Sequence, residues 1–318
     1  SMSHPAENRT LDATNQTSAL SKDDLHASTV PRRWRTALAK AYYYATYPER
    51  QWYHRRLAAA GRAPISVLVF HRIADDGANS WTTPTRNFVE VIRWLKTRFE
   101  MISLTDLQQR LCDGSNTSPS ACITFDDGYA DNCETAIPLL IAEKIPCTYF
   151  VTAEPVLAGK PFAHDLEMGH THLAPNTLEQ LRTMKSDGID IGAHTRTHPD
   201  IGRLADPARL YEEIVTSRND LENALGDRVA FFAFPFGSPE NLTLQAFRLA
   251  KRAGFDGVCS AYGGWNYPAD DPFHIRRRIV DGPPHRAKSW AVLDPLRELC
   301  LPHFAYCPER SPSLEQSL

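Results

Sequence analysis

From residue 63 onward, short apolar segments of strand length alternate with segments whose apolar residues recur at helical spacing. The strand-like segments are residues 65–70, 121–125, 147–152, 189–193, 229–234, 255–260 and 275–280, and the helical segments are residues 87–99, 132–144, 177–186, 207–225 and 242–253. Repeated strand–helix units predict parallel strands joined by right-handed crossovers. About seven such units indicate an α/β fold, a distorted (β/α)7 barrel that is either closed or incomplete.

Composition divides the chain into four regions. These are a polar N-terminal tail (residues 1–30), a basic aromatic segment (residues 31–62), the strand–helix domain (residues 63–308) and a C-terminal tail (residues 309–318). The N-terminal tail has few large apolar groups and is predicted to be disordered, and the C-terminal tail is predicted to be loose. The chemistry of the protein is therefore expected to reside in the strand–helix domain.

The basic aromatic segment carries many arginines and a single acid, Glu49, and is predicted to form two helices broken near Pro48. A helix of this composition can lie on an anionic membrane surface. It can equally form an arm that packs on the main domain and keeps its guanidinium groups in water, and this second interpretation is preferred. Peripheral membrane contact through residues 31–62 stays open.

Overall composition does not indicate nucleic-acid binding or a membrane span. The formal net charge is −3, with 42% hydrophobic and 23% charged residues, which is ordinary for a globular protein. No apolar run approaches the ~20 residues of a membrane-spanning helix or has the length that a secretory signal requires. The 7 cysteines are scattered without a C-x-x-C pair. This pattern favours a reducing compartment, so we expect a cytoplasmic protein, with membrane-peripheral association left open.

Two strand-like segments end in side chains that can bind a metal ion. One runs directly into Asp126 and Asp127, whose burial as adjacent carboxylates is costly unless a cation compensates. Another runs into His194, and His198 follows four positions later, on the same face if the chain winds into a helical turn. Each pattern alone also fits a solvated turn or surface histidines. Together they predict an open metal site of two histidines and one carboxylate, with the other carboxylate beside it.

At these positions the sequence resembles the polysaccharide deacetylases, also called carbohydrate esterase family 4 or NodB-homology domains. TFDDG at residues 124–128 is similar to the family's first motif, and HTRTH at residues 194–198 is similar to its H-[ST]-x-x-H motif. The resemblance extends over roughly residues 63–280. It implies a distorted (β/α) barrel that removes N-acetyl groups from sugars with a divalent metal, usually Zn²⁺.

The resemblance also implies a role for each of these side chains. Asp126 would be the catalytic base, and Asp127, His194 and His198 would hold the metal. A base beside a metal is suited to hydrolysis of an amide, because the metal activates the water from which the base takes a proton.

A third segment is similar to the family's R-x-P-[FY]-G motif. Pro235, Phe236 and Gly237 fit it, but Ala233 stands at the arginine position. In the family, the backbone N–H of the aromatic residue donates to the oxyanion, which Phe236 can do as well as tyrosine. The missing arginine normally orients the catalytic aspartate, so Asp126 needs another partner.

An arginine-rich segment, residues 274–280, is the candidate source of that partner. If it is a strand, Arg276 and Arg278 share one face and Arg277 takes the other. We expect Arg278 to reach the site and orient Asp126. The alternative is that all three guanidinium groups are solvated or pair with surface acids.

The first strand-like segment ends in His71, the candidate general acid. Most members of the family carry this histidine in an L-x-H motif near the C-terminus, and the only late L-x-H here is Leu301-Pro302-His303. Circularly permuted deacetylases of poly-N-acetylglucosamine carry it on the first strand, as VLVFH does here. In a closed barrel the first strand neighbours the last, so either position can serve the site. The alternative is a histidine that only ends a strand.

The predicted function is therefore metal-dependent removal of an N-acetyl group from an amino sugar or an N-acetylated polysaccharide. The alternatives are hydrolysis of another amide, formyl or non-sugar, and a pseudoenzyme that binds carbohydrate without turnover. A loop containing His164, Asp165, His170 and His172 is expected to border the sugar cleft and to be solvated, and the alternative is a second metal site there. Trp81 or Trp265 could stack on a sugar ring, although packing is the default expectation for both.

Overall fold

The structure, a computed structural model, describes residues 32–304. The tails predicted at residues 1–30 and 309–318 lie outside the described residues. The strands are β1 (Ile65–Phe70), β2 (Arg72–Ile73), β3 (Thr82–Thr83), β4 (Glu100–Met101), β5 (Ser120–Phe125), β6 (Cys147–Val151), β7 (Asp190–Ala193), β8 (Phe231–Ala233), β9 (Gly257–Cys259), β10 (His274–Ile275) and β11 (Arg278–Ile279). The α-helices are α1 (Arg32–Ala59), α2 (Thr85–Lys96), α3 (Leu104–Cys112), α4 (Ala136–Ala142), α5 (Ala153–Ala158), α6 (Ala163–Glu167), α7 (Leu178–Ser186), α8 (Pro207–Tyr211), α9 (Ser217–Leu225), α10 (Leu244–Arg252), α11 (Pro284–Ala291) and α12 (Pro295–Cys300).

Helix α1 is continuous through Pro48, so the predicted break near that residue is wrong. Proline removes one backbone hydrogen bond from a helix interior. The turns that follow are anchored by buried side chains: Arg50 donates to the carbonyl oxygen of Leu293 (3.0 Å), and His54 packs against Phe99. These contacts offset the lost bond. Neither α1 nor any other helix of residues 32–304 is long and apolar enough to cross a membrane.

Nine of the strands form one sheet in which every pairing is parallel. Its order is β10-β9-β8-β7-β6-β5-β1-β11, with β4 pairing beside β5. The two ends of this order, β10 and β11, are separated along the chain by only Arg276 and Arg277. The sheet therefore curls until one segment of chain pairs with β9 on one side and with β1 on the other. The result is the predicted α/β fold, a distorted and incomplete (β/α) barrel.

Alternate residues of each strand face the inside of the curl. An inner apolar cluster contains Val67 of β1, Cys122 of β5 and Ile275 of β10, together with the apolar face of α3. The opposite residues, such as Leu68, pack in a larger cluster with the outer helices. Strands covered on both faces read as continuous apolar runs, which is why the sequence shows no polar alternation in them. The same alternation continues past the ends of β1 and β5, so the side chains of His71 and Asp126 also face inward. Both side chains therefore lie at the mouth of the curl.

Candidate active site

The turn after β5 separates the two adjacent aspartates. Asp126 continues the alternation of β5, so its side chain faces inward. Asp127 has a left-handed backbone with φ of 72°. Six non-glycine residues of the described chain have positive φ, and four of them are Asp127, Thr195, His198 and Phe236. Such conformations cost free energy and cluster where function fixes the geometry. The concentration of strain at these strand ends marks them as a built site.

Asp127, His194 and His198 bring three ligand atoms together. The Asp127 Oδ1 atom lies 3.5 Å from the Nε2 atom of His194 and 3.3 Å from that of His198, and the three ligand atoms all lie within 4.8 Å of one another. Within residues 32–304, the buried Oδ1 atom has no hydrogen-bond donor. A buried charged acceptor without a partner is costly, so a cation at this point would satisfy it. One carboxylate and two imidazoles fit a divalent metal such as zinc.

The contacts of His194 fix which ring nitrogen carries its proton and leave the other nitrogen able to bind a metal. Its Nδ1 atom lies 2.9 Å from the backbone oxygen of Ala233. A carbonyl can only accept, so Nδ1 carries the proton and the lone pair of Nε2 points toward Asp127. Burial lowers the pKa of His194 to about 4, against the opposing effect of the nearby Asp126 carboxylate. The imidazole is therefore neutral at physiological pH, as a metal ligand must be.

Asp126 is held by an arginine that the sequence interpretation did not choose. Arg277 donates from Nη1 to Oδ1 (2.7 Å) and from Nη2 to Oδ2 (2.8 Å), and both side chains are buried. Its Nε–H donates to the backbone oxygen of Ser260 (3.1 Å), and its guanidinium lies over the ring of Phe150 (4.9 Å). Burial alone would raise the pKa of Asp126, but the charge of Arg277 outweighs it and lowers that pKa. Asp126 is thus a carboxylate with both oxygens bound.

The prediction that Arg278 orients Asp126 is wrong. Arg278 donates to the backbone oxygen of Tyr262 (3.0 Å) and lies over the ring of Trp290 (4.4 Å). The physical reason is the alternation of side chains along extended backbone. Ile275 faces inward in the inner cluster, so the side chain two positions later, that of Arg277, also faces inward. The segment is also not the single strand predicted over residues 275–280, since it is interrupted at Arg276 and Arg277 between β10 and β11.

His71 forms an ion pair with Asp281, a residue that the sequence interpretation missed. The His71 Nδ1 atom lies 2.6 Å from Oδ2, and the His71 backbone N–H donates to Oδ1 (3.1 Å). Burial would lower the pKa of His71, but Asp281, with smaller contributions from Asp127 and Asp126, raises it to about 9. Asp281 follows the last strand-like segment just as Asp126 follows β5. A search for acids at strand ends would have found it.

Phe236 lies at the mouth of the curl with an exposed ring (55% accessible) and a φ of 61°. Its ring centre is 5.2 Å from that of His198, and its backbone N–H has no acceptor within residues 32–304. The turn depends on Gly237, because a Cβ atom there would lie 2.5 Å from the backbone nitrogen of Ala261. The motif therefore presents one main-chain donor beside the metal-binding residues.

One pocket of about 280 Å³ brings most of the predicted residues together. Its lining includes the six predicted residues His71, Asp126, Asp127, His194, His198 and Phe236. Pro235 and Arg278 do not line it. Trp81 and His164 do, whereas Trp265 is fully buried and packs against Trp290. The predicted metal ligands, base, acid and oxyanion donor thus face a common space.

Comparisons with known proteins agree with this geometry. Residues 113–258 match the family model described as polysaccharide deacetylase. The chain is 29% identical over 205 residues to YxkH of Bacillus subtilis (strain 168), whose name describes a polysaccharide deacetylase, and the match covers 63% of this chain and 66% of YxkH. It is 29% identical over 126 residues to a chitooligosaccharide deacetylase of Bradyrhizobium sp. (strain ANU 289), which covers 39% of this chain and 48% of that protein.

The fold is shared with a solved structure. IcaB from Ammonifex degensii superposes with a TM-score of 0.60 at 22% identity, covering 72% of this chain and 95% of that one. The chain spans about two thirds of the length of YxkH and about half of the Bradyrhizobium enzyme.

Proposed function

Because residues 113–258 match the polysaccharide deacetylase family model, we propose that the chain is a member of that family and a metal-dependent hydrolase that removes an N-acetyl group from an amino sugar or an N-acetylated polysaccharide. The observation that carries the proposal is the buried Oδ1 atom of Asp127. It lies 3.5 and 3.3 Å from two imidazole nitrogens and has no donor among the described residues. A divalent metal, zinc by the donor set, would be held by Asp127, His194 and His198.

A metal at this point would supply two things, polarisation of the acyl carbonyl and a lowered pKa for the attacking water. Asp126 takes the proton from that water as it attacks. Arg277 prepares Asp126 for this step, because bonds to both carboxylate oxygens fix its orientation and keep it ionised before the reaction. Arg277 thus supplies the function of the motif arginine whose position Ala233 occupies.

His71 acts at the other end of the reaction. Expulsion of an amine requires a proton, and the raised pKa keeps His71 protonated at neutral pH. Asp281 binds the Nδ1 side of the ring and thereby leaves the Nε2–H as the proton to be transferred. The position of His71 directly after β1 fits the circularly permuted branch of the family, which we propose for this chain.

The oxyanion that forms on the acyl carbon needs a donor. The backbone N–H of Phe236 is available for it, because it has no acceptor within residues 32–304. Pro235 contributes by shaping the turn, since its carbonyl oxygen accepts from the Gly237 N–H (2.6 Å).

The experiment that tests the proposal is acetate release from N-acetylglucosamine oligomers by the purified protein, before and after chelation and again after zinc is restored. We expect activity that chelation removes and zinc restores. Asp126→Asn is the matched control, because it preserves the metal ligands and the shape of the base. It should keep its metal while turnover falls by about 10²- to 10⁴-fold. Metal binding without acetate release from any sugar would favour the other amides or the pseudoenzyme.

A second proposal concerns the arm, residues 31–62, which we separate from a catalytic domain at residues 63–308. On α1, Trp52 and Tyr53 are exposed (57% and 39%) and lie beside Arg55 and Arg56. This combination supports peripheral contact with an anionic membrane. Co-sedimentation with vesicles containing phosphatidylserine, compared with neutral vesicles, tests it, and equal binding to both would contradict it. The cytoplasmic location stays a prediction.

A further inference from the structure

One wall of the pocket is organised around a buried phenol that the proposed chemistry does not use. Tyr129 is fully buried directly after the turn that carries Asp126 and Asp127. Its hydroxyl donates to the Oδ2 atom of Asp165 (2.7 Å) and accepts from the indole Nε1–H of Trp81 (2.9 Å). The Nε2 atom of His164 lies 3.1 Å from the same oxygen. The hydroxyl therefore joins three chain segments that are far apart in sequence.

The protons in this cluster can be assigned from donor and acceptor types. The indole N–H only donates and the Asp165 carboxylate only accepts, so the single phenol proton goes to Asp165. His164 must then donate from Nε2 to the phenol oxygen. A neutral imidazole carries one ring proton, so when that proton is on Nε2 the Nδ1 atom is an acceptor. Within residues 32–304, that atom has no hydrogen-bond partner.

The two side chains fixed in this way flank the reacting groups. The Trp81 ring centre is 6.5 Å from that of His71 and 5.6 Å from that of His164. The His164 ring stacks on Phe162 (5.5 Å) and lies 4.8 Å from the ring of His198. Trp81 and His164 both line the pocket. An indole held by its own N–H cannot swing away, so its apolar surface is a preorganised contact for a ligand.

We infer that Trp81 and His164 form the sugar-binding wall of this pocket, with the Trp81 ring packing on the C–H face of a pyranose and the His164 Nδ1 atom accepting from a sugar hydroxyl. A pyranose ring offers these two features together, an apolar face and hydroxyl donors at its edge. Tyr129 and Asp165 are positioning residues that hold the wall. The inference rests on the proposed function and adds the residues that recognise the sugar itself.

The test compares a sugar substrate with one that has no sugar. Acetate release from tri-N-acetylglucosamine and hydrolysis of 4-nitrophenyl acetate are measured at pH 8 for the wild type, Trp81→Ala, Trp81→Phe and His164→Gln. Trp81→Ala should lower kcat/KM for the sugar about tenfold, mainly through KM, and lower the ester rate by a clearly smaller factor, with the metal content of the wild type. Trp81→Phe keeps an aromatic face and should lose less. His164→Gln keeps a donor toward Tyr129 but no acceptor at the Nδ1 position, and should raise KM for the sugar by a larger factor than KM for the ester.

The control variant is Trp52→Ala, which removes an exposed tryptophan from α1 and should change kcat/KM for neither substrate. Binding is measured independently by calorimetric titration of tri-N-acetylglucosamine into metal-loaded Asp126→Asn, with and without Trp81→Ala. Weaker binding of tri-N-acetylglucosamine to the double variant than to Asp126→Asn supports the assignment of Trp81 to the sugar-binding wall. Equal binding and equal kcat/KM for wild type and Trp81→Ala would overturn it and leave the deacetylase proposal intact. No acetate and no binding with any sugar would overturn both.

Discussion

Two halves of the candidate active site are built on different principles. One contains the proposed metal ligands (the metal-binding half), and the other is built on the segment that joins the two edges of the sheet (the closing half). In the metal-binding half, Asp127, His194 and His198 converge on a carboxylate oxygen that has no donor within the described chain. In the closing half, Arg277 binds both carboxylate oxygens of Asp126, and Asp281 binds the backbone N–H and the Nδ1 atom of His71. The first half is incomplete without a cation, whereas the second is complete as a set of side chains.

This difference has consequences for stability and for regulation by conditions. The metal-binding half should gain stability when an ion binds, because an ion that binds only the folded chain stabilises it. The closing half should instead depend on its two ion pairs, which join residues 151 and 210 positions apart in sequence. Changes in the closing half should therefore affect the barrel and the proton transfers, but not the affinity for metal.

The largest expected effect in the closing half comes from Arg277→Met. It leaves the buried Asp126 charge without a partner, which should lower the free energy of unfolding by about 3–5 kcal/mol and reduce kcat strongly. Arg278→Met is the matched control, and it should cost about 1 kcal/mol with kcat within about threefold of the wild type. Urea denaturation and acetate release measure both. A larger loss for Arg278→Met than for Arg277→Met would contradict the assignment.

An intermediate effect is expected from Asp281→Asn. The raised folded-state pKa of His71, about 9, means that the ion pair stabilises the protein fully below the unfolded value of about 6.5 and that this stability is lost as pH rises through 9. Activity should fall over the same alkaline limb, because the general acid loses its proton. Asp281→Asn should move that limb to lower pH by a unit or more. The measurement is the dependence of kcat/KM on pH from 6 to 10 for both proteins. An alkaline limb at the same pH in Asp281→Asn as in the wild type would show that Asp281 has no part in the mechanism.

The smallest effect is expected at Phe236, which lines the pocket beside His198. Phe236→Tyr should leave kcat within about threefold, because the proposed donor is the backbone N–H. Gly237→Ala, by contrast, would force a Cβ atom to within 2.5 Å of the Ala261 nitrogen and should impair the same turn. Acetate release measures both variants. A strong loss in Phe236→Tyr alone would assign the role to the ring instead.

The two halves were also unequally predictable. The metal ligands follow strands β5 and β7 as compact motifs, and the choice of aspartate and histidine at strand ends is itself the chemical signal. Arg277 was harder to choose, because three arginines are adjacent. They differ only in whether their side chains face the same side of the strand as Ile275. The signal was present, since residues 275, 277 and 279 form one face of the segment.

Other errors have a common cause in tertiary structure. The break predicted near Pro48 does not occur, because Arg50 and His54 anchor the following turns. The Trp81 and His164 contacts depend on the Tyr129 hydroxyl, which joins loops that no local pattern connects. The alternation of strands and helices, in contrast, is local and repeats along the chain. It predicted the (β/α) barrel correctly.

The central claim is that Asp127, His194 and His198 hold a metal on which deacetylation depends. The most direct measurement is the metal content of the wild type and of Asp127→Asn by mass spectrometry after purification with zinc, with acetate release measured on the same samples. We expect one metal ion per chain and acetate release for the wild type, and loss of both for Asp127→Asn. A wild type that releases acetate without any metal, or an Asp127→Asn variant that keeps both, would contradict it.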